Sequence, residues 1–140
     1  MGHRKKEPRR LHDVMDRNMP VVSPETPLRE LAWRISLPHV SMLLVCHHSK
    51  CLGLITPRDL IVRATAQGRD PRTSTARDVM TREIICGQEE QGLNEAAAFM
   101  QQHGLSQMPV LDRHHRLVGV VRFDRLRKQR SGPAPAGGRG

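Results

Sequence analysis

Four potential metal ligands lie close together in this sequence: Cys46, His47, His48 and Cys51. Thiolate and imidazole groups are the ligands that zinc prefers in proteins. The spacing is not that of a zinc finger, however, and the four residues lie on either side of a predicted hairpin turn. His114 and His115 occupy the corresponding loop of a second, similar segment. We therefore interpret these side chains as polar turn residues and predict no metal site.

Covalent catalysis requires a thiol or hydroxyl nucleophile with a base held beside it. None of the three cysteines and no serine lies in a recognisable nucleophile motif, and the eight histidines are scattered, mostly through loops. We therefore predict that the protein is not an enzyme. The odd number of cysteines also argues against a secreted disulfide framework, so we expect reduced thiols.

Thr56 and Asp59 place a hydroxyl and a carboxylate three residues apart at the start of a predicted helix. A Thr-Pro-x-Asp sequence at this position is typical of ordinary helix capping, in which the side chains bind free backbone N–H groups. The residues alone are equally compatible with ligand binding. The pattern by itself leaves both interpretations open.

The length and composition of the chain limit the elements that can position these residues. With 140 residues, of which 37% are hydrophobic and 26% charged, the chain has room for one compact domain or two half-domains sharing a core. No run approaches the roughly 20 apolar residues needed to cross a bilayer. The first residues also lack the apolar core of a signal peptide. We therefore expect a cytoplasmic protein.

The net charge of +9 is concentrated at the two ends of the sequence. Residues 1–10 contribute +4 and residues 125–140 contribute +5, which leaves thirteen basic and thirteen acidic side chains between them. Nucleic-acid binding would therefore belong to the tails, with a strong dependence on salt. Base stacking needs aromatic platforms, however, and the chain has one Trp, two Phe and no Tyr. We interpret the tails as solvated ends.

The chain contains an internal repeat at an offset of 65 residues. The sequence Asp-Val-Met at 13–15 recurs at 78–80, and further identities follow at the same offset. After a slip of one residue, Gly53 aligns with Gly119. The slip falls in polar segments that we predict to be hairpin loops, where a length change is readily absorbed. A period this long indicates a duplicated half-domain rather than a solenoid.

Each copy is predicted to fold as β-α-β-β-α from its hydrophobic periodicity and its turn residues. The elements predicted for the first copy are a strand at 19–22, a helix at 28–37, paired strands at 41–46 and 51–55, and a helix at 59–67. Those predicted for the second copy are a strand at 82–86, a helix at 93–103, paired strands at 106–111 and 117–121, and a helix at 123–130. We expect Thr26 to cap the first long helix. Thr75 and Asp78 have capping-box spacing and predict a short helical turn before the second copy.

With these elements in order, the sequence resembles the CBS domain pair, also called a Bateman module. The resemblance covers residues 11–128 approximately. It rests on the repeated Val-Met pair, VSPETPL at 22–28, GLITPRDL at 53–60 and MPVLD at 108–112. The compact size and the connector GRDPRTSTARDVM also resemble small bacterial stand-alone CBS proteins of the hypoxic-response type.

The resemblance implies an α+β (α/β) fold in which two tandem repeats pack about a pseudo-twofold axis and the modules pair into homodimers. The expected division is a basic N-terminal tail at 1–10, CBS repeat 1 at 11–68, a linker at 69–75, CBS repeat 2 at 76–128 and a disordered C-terminal tail at 129–140. A cleft between the repeats is then expected to hold an adenosine-containing ligand such as AMP, ATP or S-adenosylmethionine.

The family pattern assigns roles to particular residues of this cleft. By resemblance, the Thr56 hydroxyl lies near the ligand phosphates, the Asp59 carboxylate binds the ribose hydroxyls, and Arg58 is a further phosphate partner. A carboxylate can accept hydrogen bonds from both ribose hydroxyls, and a hydroxyl at a helix N-terminus suits phosphate oxygens. The other residues expected to line the cleft are Met19, Pro20, Val21, Leu44 and Arg122.

The second copy departs from this pattern. Arg122 stands at the position of Thr56, and Arg125 stands at the position of Asp59. Asp124 is adjacent, but one step along a helix rotates a side chain by about 100°, so it cannot simply substitute. We therefore expect one ligand per chain, bound at the first copy.

The predicted function is a non-enzymatic regulatory module without an obligatory cofactor. A ligand in the cleft would favour one packing of the repeats or of the dimer. A partner would then bind to the surface that this packing presents. The alternative is a ligand-free interaction or stress-response scaffold whose tails recruit a partner.

Overall fold

The computed structural model describes residues 8–129. Most of both basic tails, including the predicted disorder of the C-terminal tail, lies outside the described residues. In the first repeat the elements are α1 (Leu11–Val14), β1 (Val21–Val22), α2 (Leu28–Ile35), β2 (Leu43–His47), β3 (Lys50–Ile55) and α3 (Pro57–Asp59), which continues as a π-helical segment, Leu60–Thr65. In the second repeat they are α4 (Ala76–Val79), β4 (Gly87–Gln88), α5 (Leu93–Gln102), β5 (Gln107–Leu111), β6 (Leu117–Arg122) and α6 (Phe123–Gln129).

The strands of the described chain form two three-stranded sheets with the same order, β1-β2-β3 and β4-β5-β6. In the first sheet, β1 runs parallel to β2, and β2 pairs with β3 as an antiparallel hairpin. The second sheet repeats the parallel pair between β4 and β5. The central strand β2 is buried over its first four residues, as expected for a short apolar run covered on both faces. The predicted mixed α and β fold with a duplicated β-α-β-β-α order is therefore confirmed.

The strand predicted at 82–86 is wrong. The strand of this region is Gly87–Gln88, because Gly87 and Gln88 are the residues in register with Val110 and Leu111 of β5. Ile85, which made the segment look like a buried strand, is 38% exposed. The position of this short strand is set by its pairing with β5 and not by the apolar run that precedes it.

Two helix predictions also need correction. Thr26 is not the N-cap of α2, since its hydroxyl accepts a hydrogen bond from the Ser23 N–H at 3.1 Å and Pro27 occupies the cap position. The helix predicted at 59–67 begins earlier, and Leu60–Thr65 has π-helical bonding, shown by the Ala66 N–H bond to the Ile61 carbonyl at 2.8 Å. No propensity signal distinguishes this bonding from an ordinary α-helix.

The described chain divides into two compact units that do not coincide with the sequence repeats. The first-sheet unit comprises residues 18–85 and 115–117, and the second-sheet unit comprises residues 8–17, 86–114 and 118–129. Each unit therefore contains the short helix of the other repeat. The core of the first-sheet unit includes Val79 and Met80 from the second repeat. The core of the second-sheet unit includes Leu11 and Val14 from the first repeat.

Candidate functional site

Thr56 and Asp59 form a reciprocal cap at the start of α3. Strand β3 ends at Ile55, so Thr56 lies directly at the start of the helix. The Asp59 N–H donates to Thr56 Oγ1 at 3.3 Å. In return, the Thr56 N–H donates to Asp59 Oδ2 at 2.9 Å, and the Thr56 hydroxyl lies 3.2 Å from the same oxygen. The capping interpretation is thus correct in geometry. It fixes the carboxylate in place, which a binding site also requires.

The second oxygen of the Asp59 carboxylate faces two further partners. The Thr81 hydroxyl donates to Asp59 Oδ1 at 2.9 Å, and Arg63 Nε lies 3.5 Å from that oxygen. Asp59 is only 8% exposed. A carboxylate offers about four acceptor positions, so these partners together fill its capacity. A ligand hydroxyl that binds Asp59 must therefore replace one of these partners, and the two on Oδ1 are the Thr81 hydroxyl and the Arg63 guanidinium.

Thr81 is held against β3 by its backbone. Leu54 and Thr81 exchange two backbone hydrogen bonds, at 2.9 and 2.8 Å. Gly53 permits this close approach, because a Cβ there would lie 2.7 Å from the Thr81 carbonyl oxygen. Thr81 was not among the site residues predicted from the sequence. The signal that could have found it is its place directly after the second Val-Met pair, in the segment that each repeat contributes to the other sheet.

The other predicted residues of the first copy also lie in the first-sheet unit. Arg58 is exposed, Met19 and Pro20 are half-buried, and Val21 is 38% exposed at the surface. Leu44 is fully buried, so its side chain presents no surface to a ligand in this structure. Its N–H donates to the Pro20 carbonyl at 2.8 Å, which orders the segment before β1.

Arg122 lies in the second-sheet unit, on the wall of a cavity of about 400 Å³. The charged residues lining this cavity are Asp16, Arg122, Asp124, Arg125 and Lys128. Arg122 lies 3.5 Å from Asp124. Asp16 corresponds to Thr81 by the repeat offset, and it exchanges backbone hydrogen bonds with Val120 at 2.8 and 2.9 Å. The backbone arrangement of the first site is thus repeated with different side chains: Arg125 stands at the position of Asp59, and Asp16 stands at the position of the uncharged Thr81.

The described residues contain no group of three or more His, Cys, Asp or Glu side chains arranged to hold a metal ion. His48 and Ser49 form the two-residue turn between β2 and β3, with φ angles of 51° and 69°. Both residues therefore occupy the left-handed region that such hairpin turns use. Within residues 8–129, no helix combines the length and the apolar character needed to cross a membrane.

These repeated elements agree with a known family. The family model of the CBS domain matches residues 11–64 and again residues 76–132. The chain belongs to the CBS domain family. Each match spans one β-α-β-β-α unit, so the predicted CBS pair is confirmed. The matched family is that of a regulatory domain rather than a catalytic one.

Two curated proteins have similar sequences. The CBS domain-containing protein YhcV of Bacillus subtilis is 33% identical over 109 residues, which cover 78% of this chain and 76% of YhcV. The uncharacterized protein MK0525 of Methanopyrus kandleri is 30% identical over 110 residues. The match covers 78% of this chain and 56% of MK0525, so the chain spans only about half the length of that relative.

Two solved CBS structures have the same fold. Hypoxic response protein I, solved with two coordinated zinc ions, has a TM-score of 0.74 at 25% identity, covering 85% of this chain and 97% of that chain. The likeness to proteins of the hypoxic-response type is therefore confirmed. The CBS domain pair of protein MJ0100, solved with 5′-methylthioadenosine and S-adenosyl-L-methionine, has a TM-score of 0.69 at 25% identity, with coverage of 85% and 97%.

Proposed function

We propose that this protein is a non-enzymatic regulatory module that binds an adenosine-containing ligand at Thr56 and Asp59. The observation that carries the proposal is the buried Asp59 carboxylate, which hydroxyl groups from both repeats hold in place. The complex of the MJ0100 CBS pair with two adenosine compounds supports the ligand class. Such a sensor would act in the cytoplasm, where adenine nucleotides are available.

Ligand binding at Asp59 would replace existing hydrogen-bond partners of its carboxylate and would add no new charged group to the protein. The two ribose hydroxyls would take the acceptor positions that Thr81 and Arg63 now occupy. The released Arg63 guanidinium and the exposed Arg58 would then be available to ligand phosphates. Because Thr81 belongs to the second repeat, the exchange would alter a contact that joins the two repeats. The ligand would therefore have different affinities for the packing of the repeats with this contact and the packing without it. A regulatory module requires such a difference.

We expect one adenosine ligand per chain. The second-sheet cavity has Arg125 at the position of Asp59 and Asp16 at the position of Thr81. An arginine has donors only and cannot accept hydrogen bonds from ribose hydroxyls. Arg122 remains suited to a phosphate, but the position that Asp59 occupies in the first site carries no hydrogen-bond acceptor here.

A homodimer is the expected assembly, supported by exposed apolar side chains on two neighbouring helical segments. Trp33 on α2 is 64% exposed, and Ile61 and Val62 on the π-helical segment are 63% and 45% exposed. Both segments line a cavity of about 220 Å³ in the first-sheet unit. Sedimentation of the wild type as a dimer and of Ile61→Asp as a monomer would support this surface. A monomeric wild type would contradict it.

Thermal shift with AMP, ATP and S-adenosylmethionine tests the ligand proposal. A ligand at 100 times its dissociation constant should stabilise the wild type by about 2.7 kcal/mol. Asp59→Asn should lose this stabilisation. Asp78→Asn is the matched control, because Asp78 forms the same capping box with Thr75 at α4. Equal ligand shifts in Asp59→Asn and the wild type would refute the assignment of the site.

A ligand-free scaffold is the second candidate function, favoured by the filled acceptor positions of Asp59. It predicts that no adenosine compound shifts the melting temperature of the wild type. Recruitment through the basic tails would then depend on salt and would be lost when residues 1–10 and 129–140 are removed.

A further inference from the structure

The β2–β3 hairpin places two cysteines directly opposite each other. Cys46 of β2 and Cys51 of β3 are register partners in the antiparallel pair, and both are free thiols. Opposed residues of antiparallel strands have Cα atoms about 4.5 to 5.5 Å apart. Disulfides span Cα separations of about 4.4 to 6.8 Å. The backbone therefore already holds the pair at bonding distance.

The surrounding strand has local freedom at this point. The register between β2 and β3 shifts by one residue between Val45 and Cys46, which leaves Leu52 without a partner on β2. Such a bulge increases the local twist and loosens the ladder. The two sulfur atoms can thus adjust their geometry without moving the rest of the sheet.

The two thiols differ in acidity and access. A hydrogen bond with the Cys51 thiol lowers the pKa of Cys46, although burial of Cys46 opposes this effect. The same contact and burial raise the pKa of Cys51. Cys46 is 9% exposed and Cys51 is half-buried, so a small oxidant has a path to the pair.

The repeat shows that the fold does not need thiols here. Leu111 and Leu117 stand at the corresponding positions of the second hairpin, by offsets of 65 and 66 residues. Both are half-buried, as Cys51 is. Apolar side chains thus satisfy the same packing in the second repeat, and the cysteine pair is a particular property of the first hairpin.

We propose that Cys46 and Cys51 form a peroxide-sensitive dithiol that closes into a reversible disulfide across the β2–β3 hairpin. Formation of this disulfide does not require adenosine binding. Because β3 leads directly to Thr56, the disulfide would fix the register of the strand that positions the ligand-binding residues.

The reaction uses hydrogen peroxide as its oxidant. The Cys46 thiolate attacks one peroxide oxygen, the O–O bond breaks, and hydroxide leaves and takes up a proton as water. The resulting Cys46 sulfenic acid then reacts with the Cys51 thiol, which forms the S–S bond and releases a second water. Two thiols lose two electrons and two hydrogens in total, and one peroxide is reduced to two waters. A dithiol reductant reverses the bond by thiol–disulfide exchange.

Peptide mapping of the full chain after peroxide treatment tests the proposal. Reduced protein is treated with hydrogen peroxide, the remaining thiols are alkylated, and the peptides are analysed by mass spectrometry. The wild type and the matched control Cys86→Ser should both give a Cys46–Cys51 linked peptide that disappears on reduction with dithiothreitol. Cys51→Ser should instead accumulate a sulfenic acid at Cys46 that a dimedone probe traps.

Three results would overturn the proposal. One is full alkylation of both cysteines in peroxide-treated wild type, and another is a disulfide that joins two chains or includes Cys86. The third is independent overoxidation of Cys46 and Cys51 in the wild type without a linked peptide. The wild-type mapping needs no variant, so poor folding of Cys51→Ser would not prevent the decision.

Discussion

The Thr81 hydroxyl donates a hydrogen bond to Asp59 Oδ1 at 2.9 Å, and this bond joins the segment after α4 of the second repeat to the start of α3 in the first. The same carboxylate caps its own helix through Thr56. One buried side chain therefore stabilises a helix start and a contact between repeats. A ligand that competes for this carboxylate acts on both.

Thr81→Val removes the hydroxyl with little change in shape. We expect the free energy of unfolding to fall by about 1.5 to 3 kcal/mol, because one hydrogen bond to a carboxylate is lost. Adenosine ligands should bind at least as tightly as to the wild type, since Asp59 then has one partner fewer to exchange. Chemical denaturation and calorimetry measure the two effects. A loss of affinity as large as in Asp59→Asn would show instead that Thr81 itself contacts the ligand.

Gly53→Ala and Gly119→Ala test the close backbone approach in the two units. A Cβ at Gly53 would lie 2.7 Å from the Thr81 carbonyl oxygen, whereas at Gly119 the nearest atom is Met15 Sδ at 2.6 Å and the Asp16 carbonyl oxygen is farther away, at 3.1 Å. A methionine side chain can move, but a backbone carbonyl in a strand bridge cannot do so cheaply. Gly53→Ala should therefore lower the free energy of unfolding by about 1 to 3 kcal/mol, and Gly119→Ala by less. The reverse order in denaturant titrations would contradict this account.

The different residue types in the second-sheet cavity can be tested by introducing those of the first site. The triple variant Asp16→Thr, Arg122→Thr and Arg125→Asp introduces the residue types of Thr81, Thr56 and Asp59 at the corresponding positions. If those residue types are what select an adenosine ligand, calorimetric stoichiometry should rise from one to two per chain. A stoichiometry of two in the wild type would mean that the arginines of the second cavity do not exclude the nucleoside.

The acidity of Cys46 predicts a defined dependence on pH. Because the hydrogen bond from Cys51 lowers the pKa of Cys46, its thiolate fraction should reach half at a lower pH than that of an ordinary thiol. Cys51→Ala removes the donor and leaves the burial that raises the pKa. The midpoint of the pH profile for Cys46 alkylation should then move upward, and the rate at neutral pH should fall. Cys86→Ala should leave the profile unchanged, and an unchanged profile in Cys51→Ala would disprove the coupling.

Much of the fold could be predicted from local patterns. The hairpin turn at His48 and Ser49, the capping box of Thr75 and Asp78, and the end of α5 before Gly104 follow from short-range chemistry. The strand at Gly87 could not be placed in this way. Its position depends on pairing with Val110 and Leu111 of β5, which lie more than 20 residues farther along the chain.

The candidate site was predictable only in part for the same reason. Thr56 and Asp59 stand out because their spacing is that of a cap. Thr81 and Asp16 carry no local motif, and each becomes relevant because the backbone brings it to a distant strand. Leu44 was expected to face a ligand, but its central strand position buries it completely.

The exchange of short helices between the two sheets has a consequence for the folding of each half. Leu11 and Val14 complete the core of the second sheet, and Val79 and Met80 complete that of the first. A single repeat synthesised alone would lack part of its own interior and would have to recruit a second copy to fill it. Joining both copies in one polypeptide replaces that bimolecular encounter with a local one, at an effective concentration on the order of millimolar.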